Sequence, residues 1–418
     1  MSGTRPRALL LAALAAGLAA APAAHAQQTV RLPEEDRALA LRPTPVFAVG
    51  TAEGRAWEMF SRVEQVAFDR ADNLYVLDGG GNRVVVFDRA GKFVRQFGKK
   101  GGGPGEFQMP VGMTVQGDGT VAVADLAARS YSLFSPDGRY LRSVAFLDDY
   151  MPMAIGGSFS SHPRGGVVTA VRPAPPMTMD GRMRRETLQA TPIVWQPFAA
   201  GAQPVRMFNA PTEINTQTQA SEPSRGERQV AFRMTIPMFT PRVNWGMLPG
   251  GDLVVTHTPG YTLKVMRDGQ PVRYIQRPMR ERRVTEADRE RARERRREAM
   301  RSGEGVRVIS IGPGGGGPPP RRSPEQIEQS IRDMEFAETI PAIQNLRVDG
   351  AGRIWVERTG EEWGEPGPID VVAPDGRYLG TVTGQKLPAA FSASGRAAYL
   401  EKDDMGVERV VVRQLPRL

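Results

Sequence analysis

One stretch of the chain occurs twice in succession without a gap, and this repeat restricts the fold more than any other feature. Residues 73–78, 83–88 and 91–95 match residues 120–125, 130–135 and 138–142. The offset is 47 positions throughout, as between Asp78 and Asp125. Each copy consists of short β-branched and aromatic runs broken by Asp-Gly, Asn or Gly, which is typical of strands joined by tight hairpins. Four strands per copy and a period of about 45 residues predict a β-propeller blade.

More degenerate copies of the same order follow along the chain and predict an all-β, six-bladed β-propeller. The predicted blades are 62–98, 110–146, 152–208, 230–277, 341–383 and 388–416. The last copy provides only inner strands, and the missing outer strand is predicted near 44–50, at the opposite end of the chain. Such a closure would hide the edges of an open ring. A count of five or seven stays open, because the third copy is the least regular.

The repeat resembles a known family in its residues. The run at 73–78, then Asn82, Val86-Phe-Asp88, Gly103-Pro-Gly-Glu-Phe107 and Pro110, looks like an NHL repeat, with the best match over 60–145. The rest of the chain, including Trp355, is similar to exported bacterial six-bladed propellers. The resemblance implies an NHL/TolB-like fold. It does not imply one function, because such propellers include scaffolds, binding modules and a few enzymes.

The first residues have the pattern of a secretory signal. Arg5 and Arg7 precede the apolar run 8–21, and small residues flank His25. We expect a signal peptide over 1–26, a single propeller domain over 27–418 and a periplasmic or secreted location. The chain has no cysteine. Its stability must therefore come from the core and not from disulfides.

Residues 279–338 differ in composition from the blades, and we predict a helical and Gly/Pro-rich insertion between blades 4 and 5. Ten arginines and six acids lie within 280–301, although the whole chain carries a formal charge of +9. A capping box at Thr285 predicts a helix to about residue 300, and a second helix is predicted from Ser323 to about residue 338, after a linker at 312–320. The insertion is interpreted either as a variable excursion or as a docking arm for an acidic partner or a membrane surface.

Six residues at strand ends are candidates for binding a ligand at the central channel: Asp78, Arg83, Asp125, Arg129, His257 and Arg358. The two acids could form part of a cation-binding ring, or they could accept hydrogen bonds from the turns that follow them. The ring is interrupted, because the aligned later positions are His257 and Arg358. The arginines could pair with these acids or could hold a carboxylate or phosphate.

Few residues suit catalysis. The predicted mature chain has only His162 and His257 as histidines, so it cannot assemble the three-histidine zinc site that resemblance to peptide-amidating lyases would imply. Lactonase-type propellers instead use oxygen ligands, for which the adjacent pairs are Asp148/Asp149, Glu361/Glu362 and Asp403/Asp404. Neighbours on a strand point to opposite faces, so these pairs chelate poorly unless they lie on loops.

The sequence therefore predicts a non-catalytic exported propeller that binds a small molecule or a protein. No cofactor is predicted, and a divalent cation such as calcium belongs to the alternative, a metal-dependent hydrolase or lyase of the lactonase type. Nucleic acid and a membrane span are not expected, and an acidic partner is considered for the Arg-rich helix 285–300. The loop 98–105 is glycine-rich, but no Gly-Lys-Ser/Thr follows it to hold a phosphate.

Overall fold

The structure, a computed structural model, describes residues 28–147, 150–152, 159–173, 184–220, 230–302 and 323–418. The predicted signal segment 1–26, Asp148, Asp149 and the predicted linker 312–320 lie outside these described residues.

The first two blades are regular four-stranded antiparallel sheets in which each strand pairs with the next one along the chain. Two strands precede them: β1 (Gln28–Arg31) and β2 (Thr44–Val49). Blade 1 comprises β3 (Val63–Phe68), β4 (Leu74–Asp78), β5 (Arg83–Phe87) and β6 (Phe93–Phe97). Blade 2 comprises β7 (Pro110–Val115), β8 (Val121–Asp125), β9 (Ser130–Phe134) and β10 (Tyr140–Ala145).

The third sheet is larger than the others. It contains β11 (Tyr150–Pro152), β12 (Phe159–Ser161), β13 (Val167–Pro173), β14 (Arg184–Gln196), β15 (Val205–Ala220) and β16 (Val230–Thr235). Strands β14 and β15 have 13 and 16 residues. Strand β16 pairs with the C-terminal part of β15. The segment near 230 thus belongs to the third sheet and not, as the sequence predicts, to the start of the fourth blade.

The remaining strands form three further sheets and a two-stranded ribbon. Blade 4 has β17 (Asn244–Met247), β18 (Leu253–Thr256), β19 (Thr262–Arg267) and β20 (Gln270–Gln276). Then come β21 (Arg282–Arg283), α1 (Glu286–Ser302), α2 (Pro324–Arg332) and β22 (Thr339–Ile340). Blade 5 has β23 (Ile343–Val348), β24 (Ile354–Arg358), β25 (Ile369–Val372) and β26 (Tyr378–Val382). Blade 6 has β27 (Ala390–Phe391), β28 (Arg396–Lys402), β29 (Glu408–Gln414) and, as its outer strand, β2.

These six sheets form an all-β propeller. The inner strands lie next to one another around the ring, in the order β27, β3, β7, β12, β17, β23. The second strands β4, β8 and β24 are buried at every residue, because each is covered by the neighbouring blade on both faces. Antiparallel pairing of β2 with β29 joins the two ends of the chain in one sheet.

The segment 28–42, which we call the N-terminal arm, crosses the outer edges of blades 4 and 5 before β2 enters blade 6. Its strand β1 pairs in parallel with β20. The Leu39 N–H then donates to the Thr381 carbonyl of β26 at 2.8 Å, and the Thr381 N–H donates to the Arg37 carbonyl at 2.8 Å. Leu32 and Leu41 of the arm are buried in the cores of the blades that it crosses. The arm therefore covers edges that would otherwise present unpaired backbone groups.

Every inner strand is followed by the same turn, in which a backbone N–H donates to the carbonyl four residues later. The donors are Asp69, Gln116, His162, Leu248, Asp349 and Ser392. In Asp69 and Asp349 the side-chain carboxylate also accepts from the backbone N–H groups two and four residues on, as Asx turns do. The blades thus share one turn geometry, although the residue that begins it varies.

The helices pack as a small unit against neighbouring loops. Thr285 and Asp288 form the predicted capping box at α1, and Ser323 and Gln326 form one at α2. A small apolar cluster joins α1 to β22 and to the connection between β16 and β17. Its buried members are Phe239, Ala292 and Ile340. In the described part of the chain, neither helix has the length and apolar character needed to cross a bilayer.

Candidate functional site

The six candidate residues lie on one face of the ring. In an antiparallel blade the second strand ends, and the third begins, on the same side as the connections between blades. Asp78, Asp125 and Arg358 end second strands, whereas Arg83 begins a third strand. Arg129 and His257 lie in the turns between these strands. We call this side the connection face.

Asp78 is fully buried and is surrounded by donors from its own blade. Its carboxylate accepts hydrogen bonds from the backbone N–H groups of Ser61, Arg62 and Gly81 at 3.0–3.1 Å. Its other oxygen accepts from Nε of Arg83 at 3.1 Å. The acid therefore ties the connection that enters the blade to the turn that leaves its second strand.

Asp125 repeats this arrangement at the offset of 47 positions. Its carboxylate accepts from the backbone N–H groups of Gln108, Met109, Ala127 and Ala128 at 2.6–3.1 Å, and it is 1% exposed. Both acids thus occupy the turn-binding geometry that the sequence indicates as one of two interpretations.

The two arginines differ in their roles. Arg83 donates to Asp78, to the Met59 carbonyl at 2.7 Å and to the Gln96 side chain at 3.3 Å. Arg129 adopts a left-handed backbone with φ of 50°, and Asn82, at the equivalent position of blade 1, has φ of 52°. Arg129 therefore aligns with Asn82 and not with Arg83, so the two arginines do not form a repeated pair.

His257 lies between blades 3 and 4. Nζ of Lys264 is 3.0 Å from its Nε2, and the ring of Phe208 lies at 5.5 Å. Burial, together with the charge of Lys264, lowers the pKa of His257. The imidazole is therefore neutral near pH 7, and its geometry suits accepting a hydrogen bond from the ammonium group.

Arg358 belongs to a group of charges between blades 4 and 5 that also includes the N-terminal arm. Its Nη2 donates to Asp36 of the arm at 2.6 Å, and its Nε is 3.6 Å from Asp370. Arg277, directly after β20, donates to Asp36 at 2.5 Å and to Asp370 at 2.8 Å. Thr381 also donates to Asp370, at 2.6 Å. We call Asp36, Arg277, Arg358 and Asp370 the arm cluster.

Burial in the arm cluster is uneven. The side chains of Arg277 and Asp370 are 0% exposed, whereas that of Asp36 is 43% exposed. Burial opposes the charged form of Arg277, but the charge and hydrogen bond of Asp370 outweigh it and raise the pKa of Arg277. Desolvation likewise opposes ionisation of Asp36, yet Arg358 and Arg277 lower its pKa. Arg277 and Asp36 are therefore charged near pH 7.

The inner strands carry a second set of polar groups. The Gln65 side chain on β3 accepts from the Met113 N–H at 3.0 Å and donates to the Phe159 carbonyl at 3.1 Å, so it links three blades. On blade 5, Glu357 accepts from Asn345 at 2.7 Å. Burial raises the pKa of Glu357.

In each of the two acidic pairs that the structure describes, one member is used in another way. Glu362 forms an ion pair of 2.6 Å with Arg295 of α1, and Asp403 accepts from the N–H groups of Met405 and Val407 in a turn. Asp148 and Asp149 lie outside the described residues. Within the six described ranges, no three or more His, Cys, Asp or Glu side chains are grouped so that they could hold a metal ion.

The Arg-rich helix is less basic in its surroundings than its composition indicates. Five arginines of α1 form ion pairs with acids of the same chain: Arg289, Arg291, Arg293, Arg295 and Arg297. Arg289 and Arg293 also lie over the ring of Phe336. Much of the positive charge predicted to attract an acidic partner is thus balanced within the protein.

Arg358 is the one member of the arm cluster that the sequence analysis names, and no sequence pattern relates it to the other three. Asp36 precedes Arg277 by 241 positions and Arg358 by 322. No local pattern relates residues so far apart. The sequence does contain a weak pattern for a second set of arginines that link blades. Each of them follows an apolar residue at an equivalent place on an outer strand: Arg95, Arg142 and Arg273. Each donates to a backbone carbonyl of the next blade, at Pro136, Phe198 and Pro374 respectively.

Comparisons with known proteins agree with this architecture. Residues 58–148 match the family model DUF5128, described as a 6-bladed beta-propeller. The E3 ubiquitin-protein ligase NHLRC1 of Homo sapiens is 30% identical over 105 residues, or 24% of this chain. The chain spans about a quarter (24%) of the length of that relative. This protein is a six-bladed β-propeller with NHL-like repeats. The resemblance predicted from the sequence is confirmed.

Three solved structures are similar to this chain at low identity. A member of the DUF4221 family from Bacteroides vulgatus has a TM-score of 0.44 and 12% identity, over 92% of this chain and 99% of that one. A gluconolactonase from Xanthomonas campestris has a TM-score of 0.42 and 13% identity, over 90% and 97%. Virginiamycin B lyase from Staphylococcus aureus has a TM-score of 0.39 and 9% identity, over 85% and 95%.

Proposed function

We propose that the propeller is a non-catalytic binding scaffold, exported after cleavage before Gln27, whose partner binds the connection face. In this proposal the mature domain covers 27–418 and acts in the periplasm or outside the cell. The segment 279–338, to which α1 and α2 belong, is in this proposal an insertion between blades 4 and 5. The competing proposal is a metal-dependent hydrolase or lyase with acids at the channel mouth.

The observation that carries the proposal is the environment of Asp78 and Asp125. A lactonase-type site needs carboxylate oxygens that can reach a cation. Here the two strongest candidates each accept four hydrogen bonds from the protein and have at most 1% exposure. Their function is to fix the loops of the connection face, and fixed loops favour binding of a preorganised surface.

Exposed apolar residues on the connection face support the same interpretation. Met59, Ile236 and Met279 lie in connections between blades and are 38–42% exposed, and Met405 in the β28–β29 turn is 77% exposed. Exposed methionines adapt to differently shaped partners. Exposed apolar residues that lie together on one face are typical of protein interaction surfaces.

A thermal shift experiment separates the two proposals. Residues 27–418 would be melted in EDTA and then with calcium, zinc, manganese or magnesium. A ligand at a hundred times its dissociation constant adds about 2.7 kcal/mol to native stability. We expect no saturable shift; a selective shift would favour the metal-dependent enzyme and would direct lactone and ester assays to this protein.

Site-specific crosslinking tests where the partner binds. A photocrosslinking residue would replace Met405 or Ile236 on the connection face. As matched controls it would replace Asp118 or Asp375, which lie in exposed turns on the opposite face. We expect a discrete adduct in cell-envelope extract only from the first pair. Equal adducts from both pairs would refute the connection face as the binding surface.

A further inference from the structure

The arm cluster has the geometry of a carboxylate-binding site that is already filled. The Asp36 carboxylate lies between two guanidinium groups, with one oxygen 2.5 Å from Arg277 and the other 2.6 Å from Arg358. Two arginines that share one carboxylate are a strong and directional arrangement for recognising an anion. The ligand here is supplied by the chain itself.

The two guanidinium groups are positioned without the help of Asp36. Arg277 uses Nη1 to bond Asp370, and its guanidinium lies 5.1 Å from the centre of the Tyr378 ring. Arg358 ends a fully buried strand and lies near Asp370 as well. Buried Nε atoms of both arginines have no hydrogen-bond partner among the described residues. Removal of Asp36 would therefore leave a formed site with two cations and one buried acid.

The segment that carries Asp36 binds in the manner of an added peptide strand. Residues 28–31 pair in parallel with the edge of an antiparallel blade, and mostly exposed side chains line that strand. Arg37 donates to the backbone carbonyls of Tyr378 and Leu379 at 2.9 and 2.7 Å. The pairing of β1 and the bonds of Arg37 are to main chain of the blades, so another extended segment could form them if it also filled the apolar positions of Leu32 and Leu41. The carboxylate adds specificity.

We propose that this site on blades 4 and 5 binds an extended peptide that carries a carboxylate. In the protein itself, Asp36 of the N-terminal arm occupies the site. A partner strand with an acid at the corresponding position would displace the arm. The N-terminal arm runs along the outer edges of blades 4 and 5, and the charged groups that hold Asp36 lie at the margin of the connection face, where Arg358 ends β24. The proposal does not rest on the partner proposed for that face.

Peptide binding in trans tests the proposal. A fluorescent peptide with the sequence of residues 28–41 would be titrated into the mature protein and into its Asp36→Ala variant. The tethered arm competes at an effective concentration in the millimolar range. We therefore expect the variant to bind the peptide about tenfold or more tightly than the unaltered protein, because its own arm is weakened. Equal affinity for both proteins would overturn the proposal.

Two controls define the role of the carboxylate. A peptide with Asn in place of the aspartate should bind the Asp36→Ala protein about tenfold more weakly, and Arg358→Ala added to that protein should abolish the difference between the peptides. Asp118→Ala, an exposed change in blade 2, should leave binding as in the unaltered protein. Equal binding of the two peptides would refute carboxylate recognition.

Acetate provides a measurement that does not depend on folding of the arginine variant. Acetate should raise the melting temperature of Asp36→Ala protein relative to chloride at equal ionic strength, and should do so less for the unaltered protein. Stabilisation by acetate without any binding of the peptide would show a site for small carboxylates only and would contradict the peptide proposal.

Discussion

Asp78 in blade 1 and Asp370 in blade 5 are both completely buried carboxylates, yet they are stabilised in different ways. Asp78 obtains all its donors from residues within 17 positions, three of them backbone N–H groups. Asp370 depends on the Arg277 guanidinium, 93 positions earlier, and on the Thr381 hydroxyl.

The difference separates two pairs of blades, 1 and 2 on one side and 4 and 5 on the other. Blades 1 and 2 contain the two copies of the 47-residue repeat, and their turn acids accept hydrogen bonds from residues nearby in sequence. Blades 4 and 5 are held in addition by charges that link separate blades and the N-terminal arm. A local carboxylate keeps most of its partners if a neighbouring blade moves, whereas a long-range ion pair depends on the correct docking of both blades. Loss of a single partner should therefore cost more in blades 4 and 5.

The largest effect is expected from Asp370→Ala. The change leaves Arg277 buried with a lost partner, and such a change typically costs about 3–5 kcal/mol. Urea unfolding of the mature chain would measure the loss. Replacing both Arg277 and Asp370 by Met and Leu is the matched control and should recover much of it. A loss below about 1 kcal/mol for the single variant would contradict the importance of the long-range pair.

A smaller effect is expected from Asp78→Ala and Asp125→Ala. Each change leaves backbone N–H groups without acceptors, for a cost of about 2–3 kcal/mol. Asp78→Asn and Asp125→Asn keep one acceptor oxygen and should lose roughly half as much. The two sites should respond alike in urea unfolding. A clear difference in the loss of unfolding free energy between Asp78→Ala and Asp125→Ala would show that the two acids do not stabilise their blades equally.

The third blade begins its first turn with His162 where blades 1 and 5 have an aspartate. Its Nδ1 accepts from the Arg164 N–H at 3.1 Å, and its ring stacks on Trp195 at 3.9 Å. Burial, with the charge of Arg164, lowers the pKa of His162 from 6.5 to about 4. The folded protein thus binds this proton less readily than the unfolded chain does, and stability present above pH 6.5 is lost as pH falls toward 4.

We therefore expect His162→Asn, which can keep the turn without titrating, to reduce the loss of stability between pH 7 and pH 4.5 by roughly 2 kcal/mol. Urea unfolding of both proteins at the two pH values would measure it. The carboxylates that titrate below pH 5 are common to both proteins and cancel in the difference. An unchanged pH dependence would show that His162 is protonated equally in both states.

The smallest effect is expected from the arginines that link outer strands to the next blade. Arg95→Ala and Arg142→Ala each remove a hydrogen bond to a carbonyl of the following blade, from a half-buried and an exposed side chain respectively, for about 1 kcal/mol or less. Arg377→Ala, at an exposed turn, is the control and should change stability by less. If the two losses add in the double variant, the links act independently around the ring.

The fold was predictable to the extent that its causes are local. The repeat at 47 positions identifies the strands, the turns and the outer closing strand. It can do so because apolar strand residues and glycine or aspartate turn residues determine the structure of a blade through contacts that are local in sequence. The interpretation of Asp78 and Asp125 as turn acids has the same basis. The length of β14 and β15 was not predictable, since the long pairing with β16 depends on a strand that the repeat pattern assigns to the next blade.

The arm cluster could not be predicted for a different reason. Asp36, Arg277 and Arg358 have unremarkable neighbours in sequence, and their relation arises only when the arm crosses two blades. Likewise, the composition of α1 indicates a strongly basic surface, but Glu328 and Glu362 from other segments reach its arginines in the folded protein. Charge counted along a chain does not give charge at a surface when acids from elsewhere are in reach.

The pairing of β2 with β29 also sets an order of events during folding. A strand made near the beginning of the chain has its antiparallel partner about 360 residues later. Blades 1 to 5 can form their internal hairpins as they emerge, but the sixth sheet must wait for almost the whole polypeptide. Until then β2 is an unpaired strand, and ring closure is a single late step of high contact order. Any chain interrupted before residue 408 would thus lack the closing partner of β2, whatever the state of its earlier blades.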